Sequence, residues 1–217
     1  IPMAIIGTII LFFCWFSFNA GSTLSASDFR MSVVATNTMI SGAIGGLVAM
    51  FYMWLKYGKP DPSMTANGSL AGLVAVTSAC AFITAVSAAI IGIISGFLVC
   101  FAVPFVENKL NLDDPVGAIS VHCVNGMFGV LALGLFADGI NGVAGGVTGL
   151  FYGDASQLAA QLIGMGMLIL WGFCGAYVFF KILDNVWGLR VKPEDEIEGL
   201  DIPEMGVYAY PDTQLVK

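Results

Sequence analysis

Charge is what this sequence has least of. Charged residues make up 11% of its 217 residues, where a soluble domain carries about 25%. A soluble globular enzyme is therefore not expected. Histidine occurs once, as His122. The eight Lys and Arg are dispersed, so the clustered basic footprint of a nucleic-acid-binding protein is missing and no nucleic-acid partner is expected. The five cysteines, Cys14, Cys80, Cys100, Cys123 and Cys174, have neither CxxC nor metal-ligand spacing. They read as reduced thiols filling apolar space, and no metal or cofactor is expected. There is no Walker A loop, no GxGxxG after a strand, no carboxylate pair and no nucleophile–base pair, so enzyme chemistry has no visible equipment. No repeat of 20–50 residues is found.

What is abundant is apolar. Hydrophobic residues reach 58%, with 27 Gly, 16 Phe and 10 Met, and the mean hydropathy is +0.88. This composition fits helices packed in a lipid bilayer. Uncharged stretches mark the spans: Ile1–Ser27, Met31–Leu55, Pro62–Val106, Pro115–Ala137 and Ala155–Phe180. The third has 45 residues. At about 1.5 Å per residue it is more than twice the thickness of a hydrocarbon core. It is expected to fold back as two helices, broken near Thr77-Ser78-Ala79-Cys80. The expected fold is all-α, a polytopic membrane helical bundle over residues 1–190. Its helices are expected at 1–21, 31–57, 67–78, 82–106, 115–137 and 155–187, followed by an acidic tail at 191–217. Asp113-Asp114-Pro115 reads as a helix start with Pro at the first helical position. Asn67-Gly68-Ser69 reads as the start of the third span, and Asp154-Ala155-Ser156-Gln157 as the cap of the sixth.

Six spans put both ends on one side. That side collects Lys56, Lys59, Lys109, Lys181, Arg190, Lys192 and Lys217, and leaves Arg30 alone on the other. Positive charge marks the cytoplasmic side of short loops. The tail, with two basic and seven acidic residues, is then cytoplasmic, and the Gly-rich loop 138–153 is external. Gly42 with Gly46, Gly92 with Gly96, and Gly145 with Gly149 have the spacing that lets helices approach closely, and they read as packing. The chain opens at Ile1-Pro2-Met3 directly inside an apolar stretch, with no charged n-region and no A-x-A site. A signal peptide is not expected, and sequence upstream of Ile1 is.

Two places carry candidate chemistry. His122 lies eight residues after Asp114 inside an uncharged span. An ionisable group there is costly and marks either a functional site or a histidine tied to a backbone carbonyl. The first span ends Trp15-Phe16-Ser17-Phe18-Asn19-Ala20-Gly21-Ser22. Its aromatics read either as a membrane-interface belt or as a cation–π mouth with a hydroxyl beside it.

Four segments together resemble the ammonium transporter (Amt/Mep) family. They are Trp15–Ser22 (WFSFNAGS), Asn67–Val76 (NGSLAGLVAV), Asp113–Gly126 (DDPVGAISVHCVNG) and Gly188–Tyr210 (GLRVKPEDEIEGLDIPEMGVYAY). The resemblance covers the whole chain but only the second half of the family's eleven spans. It implies one five-helix inverted repeat plus the C-terminal span of the ammonium-transporter fold. It also implies a homotrimer in the plasma or inner membrane, each protomer moving ammonium or ammonia through its own apolar pore.

Residue by residue, the resemblance makes His122 one of two pore histidines, Phe18 part of the outer gate and Ser22 part of the ammonium recruitment site. Trp15, Asn19 and Asp114 become motif or structural residues. The first pore histidine, the recruitment tryptophan and the partner gate phenylalanine belong to the family's first half. That half is thus expected upstream of Ile1 in the same protein, ahead of a second chain supplying it. Departures from the family are Ser17 for glycine, Cys123 for the glycine after the histidine, and Asn125 for a cysteine. The last two are expected to alter the pore beside His122. Pro203 stands where plant relatives carry a phosphorylated threonine, so that switch is not expected. A PII-type regulator on the cytoplasmic face is an implied partner. The alternative is an ammonium sensor that binds without conducting. The chain shows no kinase or cyclase sequence, which favours the plain transporter, and its tail and WFSFNAGS segments resemble the Amt more than the Rh branch.

Overall fold

The computed structural model describes residues 1–141 and 146–209. Gly145, Tyr210 and Lys217, named above, lie outside the described residues. Two compact units are present, Ile1–Gly166 and the described part of Met167–Lys217. Among the described residues there is no β-strand. The helices are α1 (Pro2–Gly21), α2 (Arg30–Tyr57), α3 (Pro62–Thr77), α4 (Ala85–Asn108), α5 (Ile119–Phe136), α6 (Ser156–Trp187) and α7 (Pro193–Glu198). Five of them, α1, α2, α4, α5 and α6, are long and apolar enough to cross a membrane. Helix α3 has 16 residues, about 24 Å at the α-helical rise, and falls short of a full crossing.

Local chemistry explains where the helices begin. Helix α3 starts at Pro62 instead of near Asn67. Asp61 Oδ1 accepts from Ser63 N at 2.8 Å and from Met64 N at 3.1 Å, and Pro62 occupies the first helical position. A carboxylate cap followed by proline is a stronger start signal than Asn-Gly-Ser. Helix α4 starts at Ala85, where Thr84 Oγ1 accepts from Ser87 N at 3.2 Å. Helix α6 starts at Ser156 beneath Asp154, whose Oδ1 accepts Ser156 N at 2.8 Å. The Ser156 hydroxyl, donating to Asp154 Oδ2 at 2.8 Å, together with that N–H holds the Asp154 carboxyl below its ordinary value.

Pro115 is not a first helical residue. The chain turns at 115–117 and passes through Gly117 at φ +72°. A side chain there would be strained and would meet Asn67 Nδ2 at 2.6 Å. Helix α5 begins only beyond that turn.

The first unit is held together by small residues. Gly42, Gly45 and Gly46 of α2 are buried against α3 and α4. A Cβ on Gly92 would sit 2.7 Å from Ser41 O, and one on Gly96 would sit 2.6 Å from Gly45 O. Close backbone approach replaces side-chain interdigitation, as lipid-embedded helices require when no hydrophobic force drives them together. Gly129 brings α5 equally close to α3: a Cβ there would sit 2.6 Å from Ala75 O.

The turn between α3 and α4 is itself inside the bundle. Ala79 and Ile83 have no exposed surface, so the carbonyls of this turn need protein partners. Asn37 Nδ2 of α2 donates to Cys80 O and to Ile83 O, both at 2.9 Å. Asp138 N, just past α5, donates to Phe82 O at 2.9 Å. This end of the unit also holds the end of α1 and the start of α2. The opposite end holds Lys56 in the last turn of α2, Lys59 just past that helix and Lys109 just past α4.

The second unit contains the rest of α6, then α7 with Glu194, Asp195 and Glu196 in its first turn, and a π-helical turn at Asp201–Met205. Helix α6 buries none of its residues. Arg190 and Glu196 form an exposed ion pair at 2.9 Å.

Candidate functional site

The last turns of α1 carry the aromatic motif, and its residues separate by role. Trp15 Nε1 donates to Thr77 Oγ1 at the end of α3, at 2.8 Å. Asn19 is 4% exposed, and its Nδ2 donates to Thr38 Oγ1 of α2 at 3.0 Å. These two residues pin α1 to its neighbours. Phe18 and Ser22 point outward. Phe18 is 63% exposed and meets the Trp15 ring edge-to-face, 5.9 Å between centroids. Ser22 is exposed, and its hydroxyl donates to Phe18 O at 2.8 Å.

A recess of about 460 Å³ opens at this end, lined by Phe18, Asn19, Ser22, Arg30, Thr77 and Ser78 among others. The structure thus brings Phe18, Asn19 and Ser22 to one recess, while Trp15 and His122 are not among its lining residues. The hydroxyls of Thr77 and Ser78, which also line it, donate to Leu73 O at 2.7 Å and to Gly129 O at 2.5 Å.

His122 lies in the opening of α5, where Ile119–Val124 form a π-helical turn before Asn125–Phe136 continue as α-helix. Such single turns recur at functional sites because they displace one side chain from the regular helical face. The turn is held from both ends. Asp114 is 3% exposed, and its carboxylate accepts Ile119 N at 3.0 Å and both Ser120 N and Ser120 Oγ at 3.2 Å. Asn125, fully buried, donates from Nδ2 to Ser120 O at 2.9 Å. Its Oδ1 has no partner among the described residues.

Between these anchors the imidazole of His122 and the thiol of Cys123 are exposed, and no hydrogen bond to the His122 ring is present among the described residues. Asn125, expected to alter the pore beside His122, does not share that exposure. It faces the interior of the bundle and serves the backbone of the turn. Cys123 does share exposure with His122. No metal-binding group of His, Cys, Asp or Glu side chains is present among the described residues.

Sequence reading missed Thr77, Thr38 and Arg30. Thr38 could have been found as a polar position inside an apolar helix. Arg30 was visible only as a topological charge.

Residues 1–210 match the Ammonium Transporter Family. The chain is 47% identical to the ammonium transporter Amt2 of Archaeoglobus fulgidus, over 97% of its own length and 46% of that protein. It is 34% identical to ammonium transporter 1 of Dictyostelium discoideum, over 97% of the chain and 45% of that protein. Among solved structures, one described as a sensor Amt protein superimposes with a TM-score of 0.84 at 36% identity, covering 94% of this chain and 49% of that one. Candida albicans Mep2 superimposes with a TM-score of 0.81 at 30% identity, covering 96% and 48%. The chain spans about half the length of the curated relatives it matches.

Proposed function

The chain belongs to the ammonium transporter family, and from that premise we propose that it forms one wall of a membrane pore for ammonium or ammonia. His122 takes part in passing substrate or proton along that wall. The observation that carries this reading is the exposure of the sole imidazole within an apolar span. Left against lipid, an imidazole would be costly. A turn braced by Asp114 and Asn125 to hold it outward makes sense where a polar lumen or another protein surface covers it.

A bare ammonium ion is expensive in an apolar passage, whereas ammonia with a separately relayed proton is not. A neutral imidazole offers one donor and one acceptor, which suits that relay. In this reading Phe18 gates the recess and Ser22 helps recruit ammonium there, with Trp15, Asn19 and Asp114 as the structural supports. The opposite wall comes from the part of the relatives' length that this chain does not match.

Both ends of the chain and the acidic tail lie on the cytoplasmic side of a plasma or inner membrane. The protein works as a homotrimer, and a PII-type regulator docks on the loops at Lys56–Asp61 and Glu107–Asp113. Those loops share one end of the first unit, which supports a common docking face.

The test is ammonium-driven current in proteoliposomes containing the complete protein. His122→Ala is expected to lower the current at least about tenfold or to change its selectivity, as loss of a positioned proton-transfer group does. Unchanged current and selectivity would overturn the relay. The likeness to a sensor Amt protein keeps one second reading, a sensor that binds ammonium without conducting. Ammonium binding by the wild type with no current would favour it.

A further inference from the structure

The recess that holds Phe18 and Ser22 also contains a positive charge, an odd neighbour for a site that receives a cation. Among the described residues, Arg30 is the only charged side chain lining it, and its side chain is 32% exposed. Left alone, a guanidinium there would repel ammonium, since like charges at a partly shielded surface interact more strongly than in bulk water.

It is not alone. Asp28 Oδ2 accepts from Arg30 Nη2 at 2.6 Å and from Nε at 2.9 Å. Both bonds converge on one carboxylate oxygen and are charge-assisted, which makes them stronger than neutral hydrogen bonds. The guanidinium holds the Asp28 carboxyl below its ordinary value, so the compensating charge persists into mildly acidic solution. Asp28 has a second task, since its Oδ1 accepts the backbone N–H of Arg30 at 2.9 Å where α2 begins.

We propose that Asp28 is a specificity-determining residue of this recess, setting its net charge near zero by neutralising Arg30 so that a small cation is admitted. The proposal rests on the reading of the recess as an ammonium site, and it goes beyond that reading by assigning the charge balance to a pair outside the aromatic motif. Two predictions separate it from a merely structural role. Asparagine keeps an oxygen for the helix start, because Asn caps about as well as Asp. Removing both charges together should restore what removing one destroys.

The experiment measures the apparent KM for ammonium chloride in proteoliposomes of the complete protein. Wild type, Asp28→Asn, Arg30→Gln and the double variant are compared at about 10 mM and about 0.5 M ionic strength, between which the screening length falls from roughly 30 Å to a few Å. The expected result is a KM raised about fivefold to tenfold in Asp28→Asn at low salt, with the maximal rate little changed. The increase should shrink to under about twofold at high salt, and the double variant should return to within about twofold of wild type. A KM in Asp28→Asn equal to wild type at low salt would overturn the proposal. So would a loss that is insensitive to salt and persists in the double variant. Wild-type protein that neither conducts nor binds ammonium would overturn the ammonium reading and this proposal with it, so the two failures are told apart by the wild-type trace.

Discussion

Where α2 crosses α3 and α4, the contact surface is glycine and backbone: Gly45 against Gly68, Gly72 against Ser41, Gly96 against Gly45. Where α1 and α5 present Phe18, Ser22, His122 and Cys123, the surface is rings, a hydroxyl and a thiol that stay exposed among the described residues. The first region minimises distance between helices and exposes nothing polar. The second keeps polar and aromatic groups outward and spends its buried hydrogen bonds on bracing them, through Asn19–Thr38, Trp15–Thr77 and Asp114–Ser120. The difference separates what holds the bundle together from what the bundle holds out. In lipid, small residues carry the association, which frees the larger side chains for the other face.

Substitutions can break or sharpen that contrast. The largest effect is expected in the seam. Gly96→Leu drives a side chain into Gly45 O and the Val48 Cβ, 2.6 and 2.8 Å from the added carbon. It should cost about 3 kcal/mol or more, read as loss of monodisperse protein after detergent extraction. Next comes the brace beneath the exposed face. Asp114→Ala strands Ile119 N and Ser120 N and should lower stability by about 2–3 kcal/mol, read as an earlier thermal aggregation midpoint. If the brace exists to aim His122, the surviving folded protein should also transport more slowly.

On the exposed face the ranking inverts between stability and function. His122→Ala should leave the melting behaviour within about 0.5 kcal/mol of wild type, as a substitution of an exposed residue does, while current falls. A large loss of stability in that variant would mean the imidazole belongs to the packed region after all. The Asp28→Asn change should shift KM and little else. The smallest effect is expected for Trp15→Phe, which removes one hydrogen bond to Thr77 and should cost about 1 kcal/mol with the ring contact to Phe18 retained. A collapse of transport in that variant would move Trp15 from support to site.

Much of this was legible before any coordinates. The helices came from long uncharged runs, and the starts at Thr84 and Ser156 agree with those runs to within a few residues. Pro62 and Ile119 did not, for identifiable reasons. Asp61-Pro62 outcompetes Asn67-Gly68-Ser69 as a cap, and Gly117 in the left-handed region delays a helix that Pro115 alone would have started. The motif at Trp15–Ser22 was recognisable as a unit, and the resemblance already set Trp15 and Asn19 apart from Phe18 and Ser22; the fold supplies the hydrogen bonds of the first two and the exposure of the other two. Asn125 was read as a neighbour of His122 because it is three residues away. A regular helix would bring residues three apart to one face, but here the π-helical turn comes between them.

The sequence by itself determined the class of protein and the location of the one imidazole, because hydropathy, charge spacing and caps act over a few residues; it counted six spans where five helices are long and apolar enough to cross. Only the tertiary structure decided which polar groups are swallowed and which are held out. It turned Asn37, Asn125 and Asp114 into partners for backbone that would otherwise lie unsatisfied, and it brought Arg30, paired with Asp28, to the lining of a recess. Burial depends on which surfaces cross, and that is settled by the helices packing together and not by any of them alone.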